Sequence, residues 1–232
     1  MTRAPDSARR SPLNRERVLL AAVALADRIG IEALSMRGLA QELGVVPMAL
    51  YKHVANKDEL LDGMVEVIVG EIVRPEADGD WRAGVRGRIL SARAALLRHP
   101  WAARAIESRS RPTPAVLGYL DSVIGAFRTG GVSADLTHHA MHALGSRVWG
   151  FTQELFPAPP GDAGLDPEPM AAQLQQLAAH FPHLVEIVAA RSHDPGSTVG
   201  GGCDDQFEFE FALDVLLDGF ERLHRRGWTS TH

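Results

Sequence analysis

Tyr51, Lys52 and His53 stand consecutively at the end of "VVPMALYKHV", directly after Pro47, Met48 and Ala49. A phenol, an ammonium and an imidazole side by side are hydrogen-bond donors suited to an oxyanion such as a phosphate. The small or flexible residues before them allow close approach to a surface, and Pro47 or Met48 can pack on a methyl group. Arg37 adds a planar fork able to donate two hydrogen bonds to one base edge. Lys57, near the start of a later helix, offers a further cation for a phosphate. A second group is "THHAMH", where His138 and His142 have i, i+4 spacing and His139 and His142 have i, i+3 spacing. Such pairs can bind a metal, but no HExxH-type glutamate accompanies them and no cysteine is near. Helix-surface or pocket-lining histidines are the favoured reading, and neither a metal nor a cofactor is assigned.

The elements that must carry these residues read as helices throughout. Val18, Ala22, Leu25, Ala26 and Ile29 recur at helical spacing, and Gly30 follows as a stop. Ser35 is a cap for a short helix through Leu43, with Met36, Leu39, Ala40 and Leu43 on its apolar face and Gly44 ending it. Val46, held extended by Pro47, leads into a third helix over about 47–53, with proline in its first turn. Asn56 and Glu59 have capping-box spacing for a fourth helix that runs to a break near Pro75. Further helices are predicted at about 81–98, 101–110, 114–129, 133–155, 168–190 and 204–226, capped by Asp80, Thr113, Ser133 and Asp204 or Asp205. The stretches "FPAPPGDAGLDPEP" and "RSHDPGSTVGGGC" are predicted loops. With no alternating strand pattern and no internal repeat, the predicted fold class is all-α.

Composition narrows the classes. At 232 residues, 45% of them apolar and 23% charged, the chain is an ordinary globular one. The single Cys203 excludes an intrachain disulfide and suits a reducing compartment. The segment "VLLAAVALA" after a basic start has the outline of a cleavable leader. The same residues are needed as a supporting helix, which favours the second use, and a cytoplasmic location is expected. No apolar run reaches the ~18 residues of a membrane span. The net charge of -5 argues against a generic nucleic-acid binder. From Met1 to Lys57, however, nine Lys+Arg against five Asp+Glu give +4, so the remainder carries -5 - 4 = -9. A basic head on an acidic body points to local anion binding.

Helix, glycine turn and short helix is the helix-turn-helix arrangement, whose second helix enters the DNA major groove. Leu50 and Val54, four apart, are placed to hold the short helix down while Met48, Ala49, Tyr51, Lys52 and His53 occupy the rest of its surface. The segment "GIEALSMRGLAQELGVVPMALYKHVANKDELLDGM" resembles the DNA-binding domain of the TetR (tetracycline-repressor-like) family over about residues 14–65. "RHPW", "SRPTP" and "FEFALDVLLDGFE" resemble, over shorter stretches, the C-terminal domain of the subgroup nearest the tetracycline repressor. The resemblance implies a flexible arm over 1–12, a helix-turn-helix domain over 13–56 and a helical effector-binding and dimerisation domain over 57–232. It puts Arg37, Pro47, Met48, Ala49, Tyr51, Lys52, His53 and Lys57 at positions that touch DNA bases or backbone. Met36 and Met48 depart from the residues of the family's namesake, so the base preference is expected to differ.

The resemblance also implies a palindromic operator, a homodimer and a small-molecule effector, with no membrane partner. Val73 and Ile106 or Glu107 stand where the namesake has drug- and magnesium-binding histidines, which argues against a magnesium–tetracycline effector. Trp101, Ile106, Glu107, Met141, His142, Trp149, Phe151, Glu154 and Phe156 are the candidate ligand-binding residues. They make a mostly apolar set with a few polar groups, the usual make-up of a small-molecule pocket. In the last helix Phe207, Phe211, Leu213, Val215, Leu216 and Phe220 offer more apolar surface than one intramolecular face needs, which suits a dimer interface. Two other classes stay open, a helical enzyme and a protein-interaction module with a vestigial helix-turn-helix. No nucleophile elbow, phosphate-binding glycine loop or metal signature supports the first, and the chain is read as a non-enzyme.

Overall fold

The computed structural model describes residues 12–74, 79–150, 179–183, 186 and 205–230, with backbone alone for 146–150 and 205. Its helices are α1 (Arg15–Ile29), α2 (Met36–Leu43), α3 (Pro47–Leu50), α4 (Lys57–Gly70), α5 (Trp81–Arg98), α6 (Ala102–Glu107), α7 (Pro114–Thr129), α8 (Ala134–Gly150) and α9 (Asp205–Arg225). The architecture is all-α, and no strand occurs among the described residues. None of these helices is long and apolar enough to cross a membrane.

Local chemistry fixes the ends of the first four helices. Asn14 and Ser35 accept from the backbone N–H of Arg17 and Gly38 and cap α1 and α2. Gly44 ends α2 in the left-handed region (φ 66°), where a side chain would be strained. Val46 is extended and Pro47 opens α3, where a missing N–H is harmless. Regular helix stops at Leu50, earlier than the predicted 47–53, and Tyr51 to His53 form a turn closed by Val54 N–H donating to Leu50 O. Asn56 caps α4 as expected, but Glu59 reaches back to the N–H of Ala55 (2.6 Å), one residue before the usual capping-box donor.

Two compact units are distinguished, residues 1–143 with 219–232, and residues 144–218. Within the first, α1 and α4 pack so closely that a Cβ on Gly63 would sit 2.6 Å from Leu19 Cδ2. Leu60, Met64, Val65 and Ile68 of α4 are buried. The start of α4 thus packs with the helix-turn-helix, and a boundary at residue 56 falls inside a continuous core. α5 and α7 lie side by side, with Trp81 and Phe127 ring to ring at 5.1 Å. Phe220 meets Phe127 edge-on at 6.2 Å. The predicted helix at 168–190, both predicted loops and the end of the predicted 133–155 helix fall largely or wholly outside the described residues.

Candidate nucleic-acid interface

The candidate interface is built on two buried anchors. Leu50 and Val54 are buried beneath the short helix together with Leu39 and Ala40 of α2. That orientation turns the opposite side outward. Val46 is 68% and Met48 70% exposed, high for large apolar side chains. Pro47, Tyr51 and Lys52 are exposed too, and Ala49 and His53 are half-buried. Arg37, the second residue of α2, is exposed. No hydrogen bond or ion pair with another described residue engages the side chains of Arg37, Tyr51, Lys52 or His53. By contrast Arg28, on the far end of α1, is tied to Glu42 at 2.7 Å. Lys57 is placed differently from the rest of the predicted set. Its Nζ donates to the carbonyl of Leu34 (2.8 Å), pinning the start of α4 to the turn before α2. One of its three N–H donors is therefore structural, and two remain for another acceptor.

A group not anticipated from the sequence fastens this head to the helices behind it. Asp27 Oδ1, near the end of α1, accepts from the indole N–H of Trp101 (2.6 Å) and lies 2.8 Å from His99 Nδ1. Glu71, just past α4, accepts from Arg98 (2.6 Å) and lies 3.4 Å from His99 Nε2. Arg109 adds Asp58 (2.8 Å) and Asp62 (3.0 Å). The end of α5, its link to α6 and the residues just past α6 therefore grip both α1 and α4. Asp27 and Trp101 are 74 residues apart, so no local spacing could reveal the pair.

The predicted ligand residues are not gathered into one cavity. Trp101 is buried and its indole is committed to Asp27. Ile106 is half-buried and Glu107 exposed. Met141 and His142 do line an open groove of ≈ 580 Å³ between α7 and α8, with Leu120, Ile124, Thr137 and His138. His138 and His142 stack edge to face there at 4.7 Å. Among the described residues no three His, Cys, Asp or Glu side chains are grouped to hold a metal ion. The side chain of Trp149 and all of Phe151, Glu154 and Phe156 lie outside the described residues.

The predicted dimer set divides by side. Phe207, Phe211 and Val215 are exposed at i, i+4, i+8, and Leu216 is half-buried. Leu213 is buried. Phe220 corrects the prediction. It is buried and edge-on to Phe127, because α9 is apolar on two sides and residue 220 falls on the inward one.

An exposed short helix held over a glycine turn by two buried anchors, followed by a helical body, defines a helix-turn-helix regulator. The family model of bacterial regulatory proteins, tetR family, matches residues 18–64, and that of the tetracyclin repressor-like C-terminal domain matches residues 74–224. The chain belongs to the tetR family. It is 32% identical to the HTH-type transcriptional repressor DrrR1 of Streptomyces coeruleorubidus, over 97% of this chain and 84% of that one. The Streptomyces coelicolor protein ActR, solved in complex with actinorhodin, matches with a TM-score of 0.67 and 30% identity over 91% of this chain and 98% of its own. BioQ, a Mycobacterium smegmatis protein solved with its double-stranded DNA operator, matches with a TM-score of 0.58 and 26% identity over 90% and 98% of the two chains.

Proposed function

We propose that this protein is a cytoplasmic transcriptional repressor that binds a palindromic operator as a homodimer and is released by a small-molecule effector. The observation that carries the reading is the outward, unengaged set Arg37, Met48, Tyr51 and Lys52 on a helix pair locked from beneath by Leu39, Leu50 and Val54. Arg37, Pro47, Met48 and Ala49 face base edges, while Tyr51, Lys52, His53 and the free donors of Lys57 meet phosphates. Two such heads fit half-sites about 34–36 Å apart. The exposed Phe207, Phe211 and Val215 supply the pairing surface. The effector enters the groove that Met141 and His142 line. It shifts the equilibrium between two head spacings by its differential affinity for them. The relative DrrR1 is named a transcriptional repressor, and that weighs against the enzyme reading.

Selection from a random duplex pool at near-physiological salt is expected to return one palindromic motif. The double variant Tyr51→Ala, Lys52→Ala is expected to lose that binding while remaining a folded dimer. Unchanged affinity in the variant would sink the reading and leave the interaction-module alternative.

A further inference from the structure

Val46 breaks a local rule that the other helix starts of the head obey. Asn14, Ser35 and Asn56 each cap their helix by accepting from a backbone N–H three residues on. Val46 holds the same position at α3, in extended conformation (φ -77°, ψ 145°), and its side chain makes no capping hydrogen bond. Valine is among the least favoured residues there. Its β-branch suits the extended geometry that Pro47 imposes, but threonine has the same branch and would cap as well. Burial does not explain the choice either, since the side chain is 68% exposed. A residue that forgoes a cap and shows an apolar branch to water, with no structural return, marks a functional position.

Its surroundings say what that function is. The first residues of a recognition helix come nearest the base edges, and Val46 leads into α3 beside Pro47 and Met48. One exposed apolar residue is ordinary, but these three are consecutive and all exposed. Exposed polar groups flank them, Arg37 from α2 and Tyr51 and Lys52 from the turn after α3. The major groove shows donors and acceptors on every base pair and one apolar group, the C5 methyl of thymine. Valine can neither donate nor accept, so pressing it on any other base edge leaves that edge's polar atoms unpaired. Val46 and Met48 are two residues apart, at most ~7 Å between Cα atoms. That is about two base-pair steps of ~3.4 Å, so two neighbouring thymines can meet both side chains.

We propose that Val46 is a specificity-determining residue that packs on the C5 methyl of one thymine in each operator half-site, one or two base pairs from a thymine covered by Met48. The proposal rests on the reading of the head as a DNA reader. It assigns that head two positions selected by apolar contact, where a hydrogen-bonding side chain would select others.

The test uses the full chain and the duplex it selects from the random pool. Each thymine, together with its symmetry mate, is replaced by deoxyuridine, which pairs identically and lacks only the methyl. Binding is followed by fluorescence anisotropy of the labelled duplex. At two thymines per half-site the exchange should weaken wild-type binding about fourfold per half-site and about fifteenfold for both, the scale of one buried methyl. Val46→Ala should lose the penalty at one of these positions and keep it at the other, and Met48→Ala should show the reverse. Val46→Thr should melt no lower than the wild type, because threonine caps α3, and should bind the thymine duplex more weakly. A lower melting temperature in Val46→Thr would give the valine a structural role and remove the ground for the proposal. A motif bound equally well with thymine or deoxyuridine throughout, or a Val46→Ala protein that keeps every penalty, would overturn the proposal and leave the regulator reading standing. Recovery of no motif from folded protein would defeat that reading, and this inference with it.

Discussion

Asp27 and Glu71 show what single side chains contribute to the joint between head and body. Each carboxylate takes one strong donor, Trp101 or Arg98, and the two share His99 between them. For Glu71 burial pushes the carboxyl upward, but the hydrogen bonds from Arg98 and His99 outweigh it and hold the group below its ordinary value of 4.5. A carboxyl lowered on folding stabilises the native state above its unfolded value, and that contribution is lost as the pH falls through the folded one. Glu71 is about a third exposed, so the contribution at neutral pH belongs to the screened range, about 0.5–1 kcal/mol. Glu71→Gln should therefore lower the urea midpoint at pH 6–7, and the gap from the wild type should close below pH 4.5. Asp135, held low by the Ser230 hydroxyl and backbone N–H, titrates in the same acid window in both proteins. Only the difference between the two curves belongs to Glu71. Parallel curves from pH 3 to pH 7 would show that the Arg98 and His99 contacts carry no net stability.

At the scale of elements, two tight approaches are made at glycines, and they should not be equally sensitive. Gly130 has an ordinary φ of -77°, so its constraint is purely one of space. A Cβ there would lie 2.4–2.5 Å from Trp81 Cβ and Cγ, atoms next to a backbone that cannot swing away. At Gly63 the obstruction is Leu19 Cδ2 and Cδ1, the far end of a side chain that has other rotamers. Gly130→Ala should cost about 2–3 kcal/mol and Gly63→Ala about 1 kcal/mol or less, read from denaturant midpoints. The reverse order would mean that α1 and α4 are packed more rigidly than α5 and the α7 end. Legibility in the sequence divides along the same line between local and distant constraints. Ser35, Gly44, Pro47 and Asn56 act within four residues of themselves, so their punctuation and the helix-turn-helix could be read directly. The whole candidate reading surface lies within Arg37 to Lys57, and its two anchors follow from one i, i+4 pair. The body offers no such economy. Trp101 looked like a pocket residue because its partner Asp27 is 74 positions away. Phe220 was misassigned because α9 has apolar residues on two sides, and periodicity alone does not say which side faces inward.

For the molecule as a whole, the basic head and acidic remainder make pairing a question of geometry more than of charge. A balance of +4 on Met1 to Lys57 against -9 elsewhere attracts DNA only where the head is presented, and one four-residue helix reads few base pairs. Joining two heads in one particle raises affinity for a double site by about 10²–10⁴ without any new contact. The surface suited to that joining is the outer stripe of α9, where Phe207, Phe211 and Val215 are 62%, 58% and 55% exposed and the two phenyl rings stack at 6.5 Å. The inner residues Phe209, Leu213 and Leu217 are buried, so a charge on the outer stripe can act on assembly without opening the core. Phe211→Glu should sediment as a monomer at micromolar concentration and keep its helical circular dichroism. Its affinity for the full palindrome should fall about 100-fold, towards that for an isolated half-site. Weak binding to unrelated duplex, steeply salt-dependent through counterion release, should survive because the head itself is untouched. If Phe211→Glu remained a dimer with full operator affinity, pairing would have to use other residues. If it became a monomer and still bound the palindrome as tightly as the wild type, a single head would be sufficient to read it, and the two-headed mechanism would be wrong.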